Sequence, residues 1–118
     1  MRKVCVASIQ MKCSREVNEN IFTADRLVRT AAEKGAEIIL LPELFERQYF
    51  CQERRYEYYG FAKPVEDNDA VKHFLPVSEE LNIVLPLSIY EKDGNVLYNT
   101  VVVLDCGKIL GILSLIHI

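Results

Sequence analysis

A glutamate that closes an apolar run is the first residue of this chain to which a reaction can be assigned. In Ile38-Ile39-Leu40-Leu41-Pro42-Glu43-Leu44-Phe45 the apolar stretch reads as a strand and Pro42 releases the backbone from it. Glu43 then stands where, in a parallel sheet, the carboxyl ends of the strands open onto a crevice. A wall of Leu41, Leu44 and Phe45 would desolvate its carboxylate, raise its pKa and suit it to general-base work near neutral pH. Spacing alone supports equally a surface glutamate in a turn.

Other chemistries have less support. The four cysteines, at 5, 13, 51 and 106, form no C-x-x-C pair. Cys5 and Cys106 lie in apolar runs, so buried, reduced thiols of a cytosolic protein are expected there, with Cys13 a loop thiol, rather than metal ligands. A dinucleotide site needs glycines at the first strand-to-helix turn. That turn, Gln10-Met11-Lys12-Cys13-Ser14, has none, and the five glycines at 35, 60, 94, 107 and 111 form neither G-x-G-x-x-G nor a P-loop.

Downstream of Glu43 the aromatic residues Tyr49, Phe50, Tyr56, Tyr58, Tyr59 and Phe61 gather. They would either wall a pocket for an aliphatic diamine, with Tyr49 the favoured substrate-binding candidate, or pack a long loop against the sheet. Glu46 and Glu53 could attract a substrate ammonium, although solvated loop charges are the simpler reading.

Positioning these residues requires a scaffold, and its elements are legible from periodicity. Residues 3 to 9 form a short run rich in β-branched residues, expected as a buried strand, and Ser14 can cap the helix that comes next. Val17, Ile21, Ala24, Leu27, Val28, Ala31 and Ala32 recur at helical spacing up to Lys34, and Gly35 stands where a helix stops. With the run from Ala36 to Leu41 this makes a β-α-β unit whose strands should be parallel. Residues 53 to 61 suggest a short helix. A second amphipathic helix spans Asp69 to Leu81, which Pro76 must bend or restart. Ile83 to Tyr90, the hairpin signal Asp93-Gly94-Asn95, Val96 to Leu104, the turn Asp105-Cys106-Gly107 and a strand from Lys108 predict a closing meander.

The whole is a single α/β domain by size and composition: 118 residues, 50% apolar and 26% charged, proportions of a folded globular chain. A net charge of -3 argues against a nucleic-acid partner, and Arg54-Arg55 is flanked by Glu53 and Glu57 as a solvated helix face would be. No signal peptide and no stretch of membrane-spanning length is visible, so a cytoplasmic protein without a membrane partner is expected.

Four short segments in order carry a resemblance: Ala7-Ser8-Ile9-Gln10-Met11, Asn20, Leu41-Pro42-Glu43-Leu44-Phe45 and Leu97-Tyr98-Asn99-Thr100. Together they resemble the nitrilase, or carbon-nitrogen hydrolase, superfamily over residues 2 to about 112. Glu46 followed by Tyr49-Phe50-Cys51-Gln52 is similar to the segment of amidases that act on N-carbamoylputrescine, a small carbamoyl amine. The resemblance implies the amino-terminal part of an α-β-β-α sandwich and hydrolysis by a Cys nucleophile, a Glu base and a Lys. It implies no metal or organic cofactor, and homo-oligomers in the full-length form. Glu43 matches the base.

One departure matters. The family's next motif resembles Gly-x-Tyr-Arg-Lys-x-His-Ile, and its alignment on Gly111 and His117-Ile118 sets Leu115 where the lysine is expected. The family's nucleophile falls beyond residue 118. Neither Cys51, which matches a non-nucleophilic position, nor His117 is a substitute. Leu113-Ser114-Leu115-Ile116-His117-Ile118 also resembles translated adaptor read-through, so residues 113 to 118 are expected to be foreign to the gene, the alternative being a natural truncated paralogue.

Overall fold

The computed structural model describes residues 2–47 and 60–117. Strand β1 (Val6–Ser8) is followed by helix α1 (Val17–Glu33), strand β2 (Ile38–Leu40), helix α2 (Asp69–Leu81) and three long strands, β3 (Val84–Asp93), β4 (Val96–Asp105) and β5 (Lys108–His117). They form one five-stranded sheet in the order β1-β2-β3-β4-β5. The first three strands are parallel, with Val6 opposite Ile38 and Ile38 opposite Val84. The last three are antiparallel. The β-α-β-α start and the closing meander are therefore as the sequence predicts.

Both helices bury their apolar stripes on one face of the sheet. Ile21, Ala24 and Val28 of α1 and Val71, Phe74 and Val77 of α2 join alternate residues of β3 and β4, Leu85, Leu87, Ile89, Val102 and Leu104, in a continuous core. Alternation reflects the two-residue period of a strand. Phe45 enters this core from the loop after β2 and meets Phe74 edge-on, the ring centroids 6.0 Å apart. Burying each such side chain stabilises the fold by about 1.5–3 kcal/mol. At the solvent side, Asp25 of α1 accepts from Arg29 and pairs with His73 of α2, each at 2.9 Å, so the helices are tied together at their exposed edge.

Local signals are met unevenly. Gly35 at φ 95 ends α1 as expected, and α2 is capped by Asn68, whose Oδ1 accepts from the Val71 amide at 3.0 Å. Of the two expectations for Pro76, a bend or a restart, the restart does not occur: α2 continues through it. Ser14 does not cap α1: Glu16 is the N-cap, without a side-chain bond, and the Ser14 hydroxyl instead accepts from the Glu16 amide at 3.1 Å. The first strand is not buried; β1 is a three-residue edge strand with Val6 68% exposed, because no element among the described residues covers its outer side. Cys5 and Cys106 are likewise exposed rather than core thiols. Cys5 precedes that edge strand, and Cys106 is a turn residue at φ 48. In the same turn Gly107, at φ 88, leaves no room for a Cβ, which would stand 2.9 Å from Glu79.

Candidate active site

The loop that leaves β2 is shaped by one backbone twist and by hydrogen bonds from distant strands. Leu44 adopts a left-handed φ of 51, a conformation that costs a non-glycine residue on the order of 1–3 kcal/mol and persists only where surroundings enforce it. Its amide donates to the Ser88 hydroxyl on β3 at 3.0 Å, and its side chain is buried against Ala62 and Tyr90, with Phe61 and Leu97 alongside. Residues 61–63 reach this cluster because Lys63 runs beside β3, donating to the Tyr90 carbonyl and accepting from the Lys92 amide.

That twist presents Glu43 to β4. The buried Asn99 carboxamide donates from Nδ2 to Glu43 Oε1 at 2.5 Å, while its Oδ1 accepts from the Ser88 hydroxyl at 3.5 Å. Ser88 and Asn99 thus hold the two neighbours of the same turn, the first by the Leu44 amide and the second by the Glu43 carboxylate. A carboxylate oriented through one oxygen has a second with which to take up a proton, as general-base work requires.

A second brace fixes the far end of the loop. Asn20 of α1, 1% exposed, uses its amide completely: Nδ2 donates to the Ser14 and Glu46 carbonyls at 2.8 and 2.7 Å, and Oδ1 accepts from the Ser14 amide and hydroxyl. The loops after β1 and β2 are thereby joined at the carboxyl ends of parallel strands. Glu46 itself is half-buried, not a solvated loop charge, and its carboxylate accepts from the Ala70 amide at the start of α2 at 3.2 Å. Burial pushes its carboxyl above the ordinary range, against the opposing pull of the Ala70 and Asn68 hydrogen bonds.

Glu43 is exposed, in contrast to the desolvated carboxylate expected from its apolar neighbours. The reason is the direction those neighbours take: Leu41 and Phe45 turn into the core and Leu44 into the smaller cluster, so none covers the carboxylate. Tyr49, Cys51 and the aromatic residues up to Tyr59 lie outside the described residues. Phe61 is described, and the Arg47 guanidinium stacks 3.8 Å above its ring. Cys13 is half-buried, and that burial pushes its thiol up, away from the thiolate a nucleophile needs. Among the described residues no group of three His, Cys, Asp or Glu side chains is placed to hold a metal ion, and no helix is long and apolar enough to cross a membrane.

Position 115 falls close to this centre. Thr100 pairs with Ser114 and Asn99 with Ile116, so Leu115 is the extra residue of a bulge opposite the Asn99–Thr100 step. Ser88 is not legible from sequence, since a serine in an apolar strand carries no signal of its own. Asn99 stands out there only within its motif.

The family model for carbon-nitrogen hydrolases matches residues 5–117. The chain belongs to the carbon-nitrogen hydrolase family. Among relatives of this chain, an N-carbamoylputrescine amidase of Oryza sativa is 43% identical over 117 residues, covering 98% of this chain and 39% of the relative. A citrullinase of Francisella tularensis is 35% identical over 119 residues, covering 100% of this chain and 42% of the relative. The fold is matched by a carbon-nitrogen hydrolase from Helicobacter pylori, with a TM-score of 0.84 at 23% identity, over 97% of this chain and 40% of that one. The carbon-nitrogen hydrolase chain described here therefore spans about two fifths of the length of these relatives.

Proposed function

We propose that this chain is the base-bearing part of an amidase that hydrolyses N-carbamoylputrescine to putrescine, ammonia and carbon dioxide. The observation that carries the reading is Glu43 held by Asn99 beside the bulge at position 115. A base, its orienting amide and the strand position expected to bear a cation are then neighbours. The names of the more similar relatives support the substrate.

A carbamoyl carbon is a poor electrophile, so the hydrolysis gains from two steps. A cysteine thiol, contributed outside these residues, gives its proton to Glu43 and attacks the carbonyl carbon; the carbon-nitrogen bond to ammonia breaks as Glu43 returns the proton. Water, deprotonated by Glu43, then cleaves the thioester-like intermediate, and the released carbamic acid yields putrescine and carbon dioxide. An ammonium at position 115 would stabilise the oxyanion in both steps. Glu43 needs access to thiol, ammonia and water in turn, which its exposure permits. Glu, Lys and Cys suffice, without metal or organic cofactor.

With Leu115 in place of lysine, the 118-residue polypeptide is itself inactive in this reading. The substrate class extends to other carbamoyl amines, a possibility favoured by the citrullinase relative. A second reading, a non-catalytic chain that associates with a full-length relative, is favoured by the exposed apolar residues of β5. We further assign the full-length enzyme to homo-oligomers and to the cytoplasm, the latter supported by the free thiols of Cys5, Cys13 and Cys106.

The test is to read the frame after Ile112 from independent genomic DNA and assay the encoded protein. A lysine at position 115, a downstream cysteine and ammonia release from N-carbamoylputrescine are expected. An open frame with lysine and cysteine but no activity on any carbamoyl amine would overturn the assignment.

A further inference from the structure

We infer that Glu46 is a positioning residue: by anchoring the end of the 43–46 turn to the first turn of α2, its carboxylate keeps that turn in the conformation that presents Glu43 to Asn99. The consequence for catalysis rests on the proposed reaction; the anchor itself stands on the structure.

The turn needs an external hold. Leu44, at φ 51, sits in the left-handed region that a bulky side chain rarely adopts, and such a conformation persists only where its surroundings over-determine it. Relaxation of Leu44 to negative φ would rotate the peptide that joins it to Glu43 and swing the carboxylate away from Asn99. One hold comes from the sheet, where the Leu44 amide donates to the Ser88 hydroxyl at 3.0 Å. A single bond there leaves the course of the following residues open. The bond that closes the turn on itself, from the Arg47 amide to the Leu44 carbonyl, is long at 3.4 Å, so the chain beyond Leu44 must be held from outside.

Glu46 supplies that hold twice. Its carbonyl accepts from Asn20 Nδ2 at 2.7 Å and its carboxylate from the Ala70 amide at 3.2 Å, so its backbone is tied to α1 and its side chain to α2. Both partners are themselves buried in the fold. Ala70 lies in the first turn of α2, where amides have no partner within the helix. Asn68 Oδ1 takes the Val71 amide at 3.0 Å, and Glu46 takes that of Ala70. The partial positive charge at a helix N-terminus favours a carboxylate in that place. The like charge of neighbouring Asp69 is offset by the Lys63 ammonium 3.2 Å away. Between the two holds on the turn, Phe45 packs edge-on against Phe74 of the same helix, so the turn and α2 move only together.

The experiment reads the turn in the protein encoded by the independently read frame, by hydrogen exchange with mass spectrometry, which needs neither a monomer nor activity. Glu46→Ala removes the acceptor, Glu46→Asp keeps the charge but withdraws it by one methylene, and Glu46→Gln keeps the reach without the charge. The Leu44 amide should exchange at least about 10-fold faster in the Ala and Asp variants, and within about 2-fold of the unmodified protein in Glu46→Gln, with the β3 and β4 amides unchanged. On N-carbamoylputrescine the Ala and Asp variants should lose roughly 10-fold or more in kcat, with KM changed far less, and Glu46→Gln should retain it. A merely structural residue would instead loosen α2 and β3 as well and leave the kcat of the folded protein unchanged. Leu44 protection in Glu46→Asp equal to that of the unmodified protein overturns the inference, whether or not Glu46→Ala folds. So does an enzyme whose Leu44 amide is loosened while kcat stays the same. The expected exchange pattern without activity of the unmodified protein on any carbamoyl amine would count against the proposed reaction alone.

Discussion

Asn99 and Glu43, 56 residues apart in sequence, meet through a 2.5 Å hydrogen bond from the Asn99 amide to the Glu43 carboxylate. The bond connects the antiparallel half of the sheet to the loop that leaves its parallel half. Glu43 is thus oriented by a strand formed late in the chain, and its place in the site depends on the β3–β4 hairpin being in register.

Replacing Asn99 with Ala should remove that orientation. The change strands the Ser88 hydroxyl and frees the carboxylate, for an expected loss of about 2 kcal/mol in stability by urea denaturation. In a full-length amidase the same variant should lose roughly 10- to 100-fold in kcat, because a base misplaced by an ångström is a poor one. Unchanged stability and kcat would show Asn99 to be a bystander.

Asn20→Ala should be worse for folding. Its removal leaves the Ser14 amide and the Ser14 and Glu46 carbonyls without the partner that Asn20, itself 1% exposed, supplies. The expected destabilisation is at least about 2 kcal/mol, read as a lower urea midpoint with an unchanged m-value.

Much of this is legible in the chain itself. Helical spacing from Val17 to Ala32 and the Gly94 and Gly107 turns set the element order, because burial on one face and positive φ leave direct marks in residue type. Glu43 stands out because a proline and a charge end an apolar run. Its exposure does not, because the directions of Leu41, Leu44 and Phe45 depend on a left-handed Leu44 that no local signal announces. Ser88 is silent for a related reason: its meaning comes from partners elsewhere in the chain. Cys5 and Cys106 mislead, since an apolar neighbourhood in sequence is not burial at a sheet edge or a turn.

Glu46 supplies a pH test. Burial raises its carboxyl above the unfolded value, so the folded state binds the proton more tightly and stability is greatest with Glu46 protonated. That contribution is present below the unfolded pKa of about 4.3 and is lost as pH rises through the folded value. Glu46→Gln keeps an acceptor for the Ala70 amide without the charge. Its Tm should exceed that of the unmodified chain at pH 7, and the gap should close as pH falls toward 4. A gap that widens on acidification would reverse the assignment.

The uncovered edges of the sheet, β5 on both of its faces above all, should make the isolated chain self-associate. Val6, Leu40, Leu110, Ile112, Leu113, Leu115 and Ile116 are exposed, and β5 is an edge strand. Such surfaces pair with other chains. Light scattering at micromolar concentration should find oligomers or aggregates; a monodisperse monomer would contradict this.

The central claim is that Glu43 is the base of an amidase, and its most direct test is kcat for ammonia release from N-carbamoylputrescine by the protein encoded in the independently read frame, with and without Glu43→Gln. General-base catalysis contributes about 100- to 10,000-fold, and this carboxylate would serve several proton transfers. The substitution should therefore lower kcat by at least roughly 100-fold, with KM changed far less because the role lies in the transition states. A correctly folded Glu43→Gln enzyme that keeps more than about half of its kcat would contradict the claim.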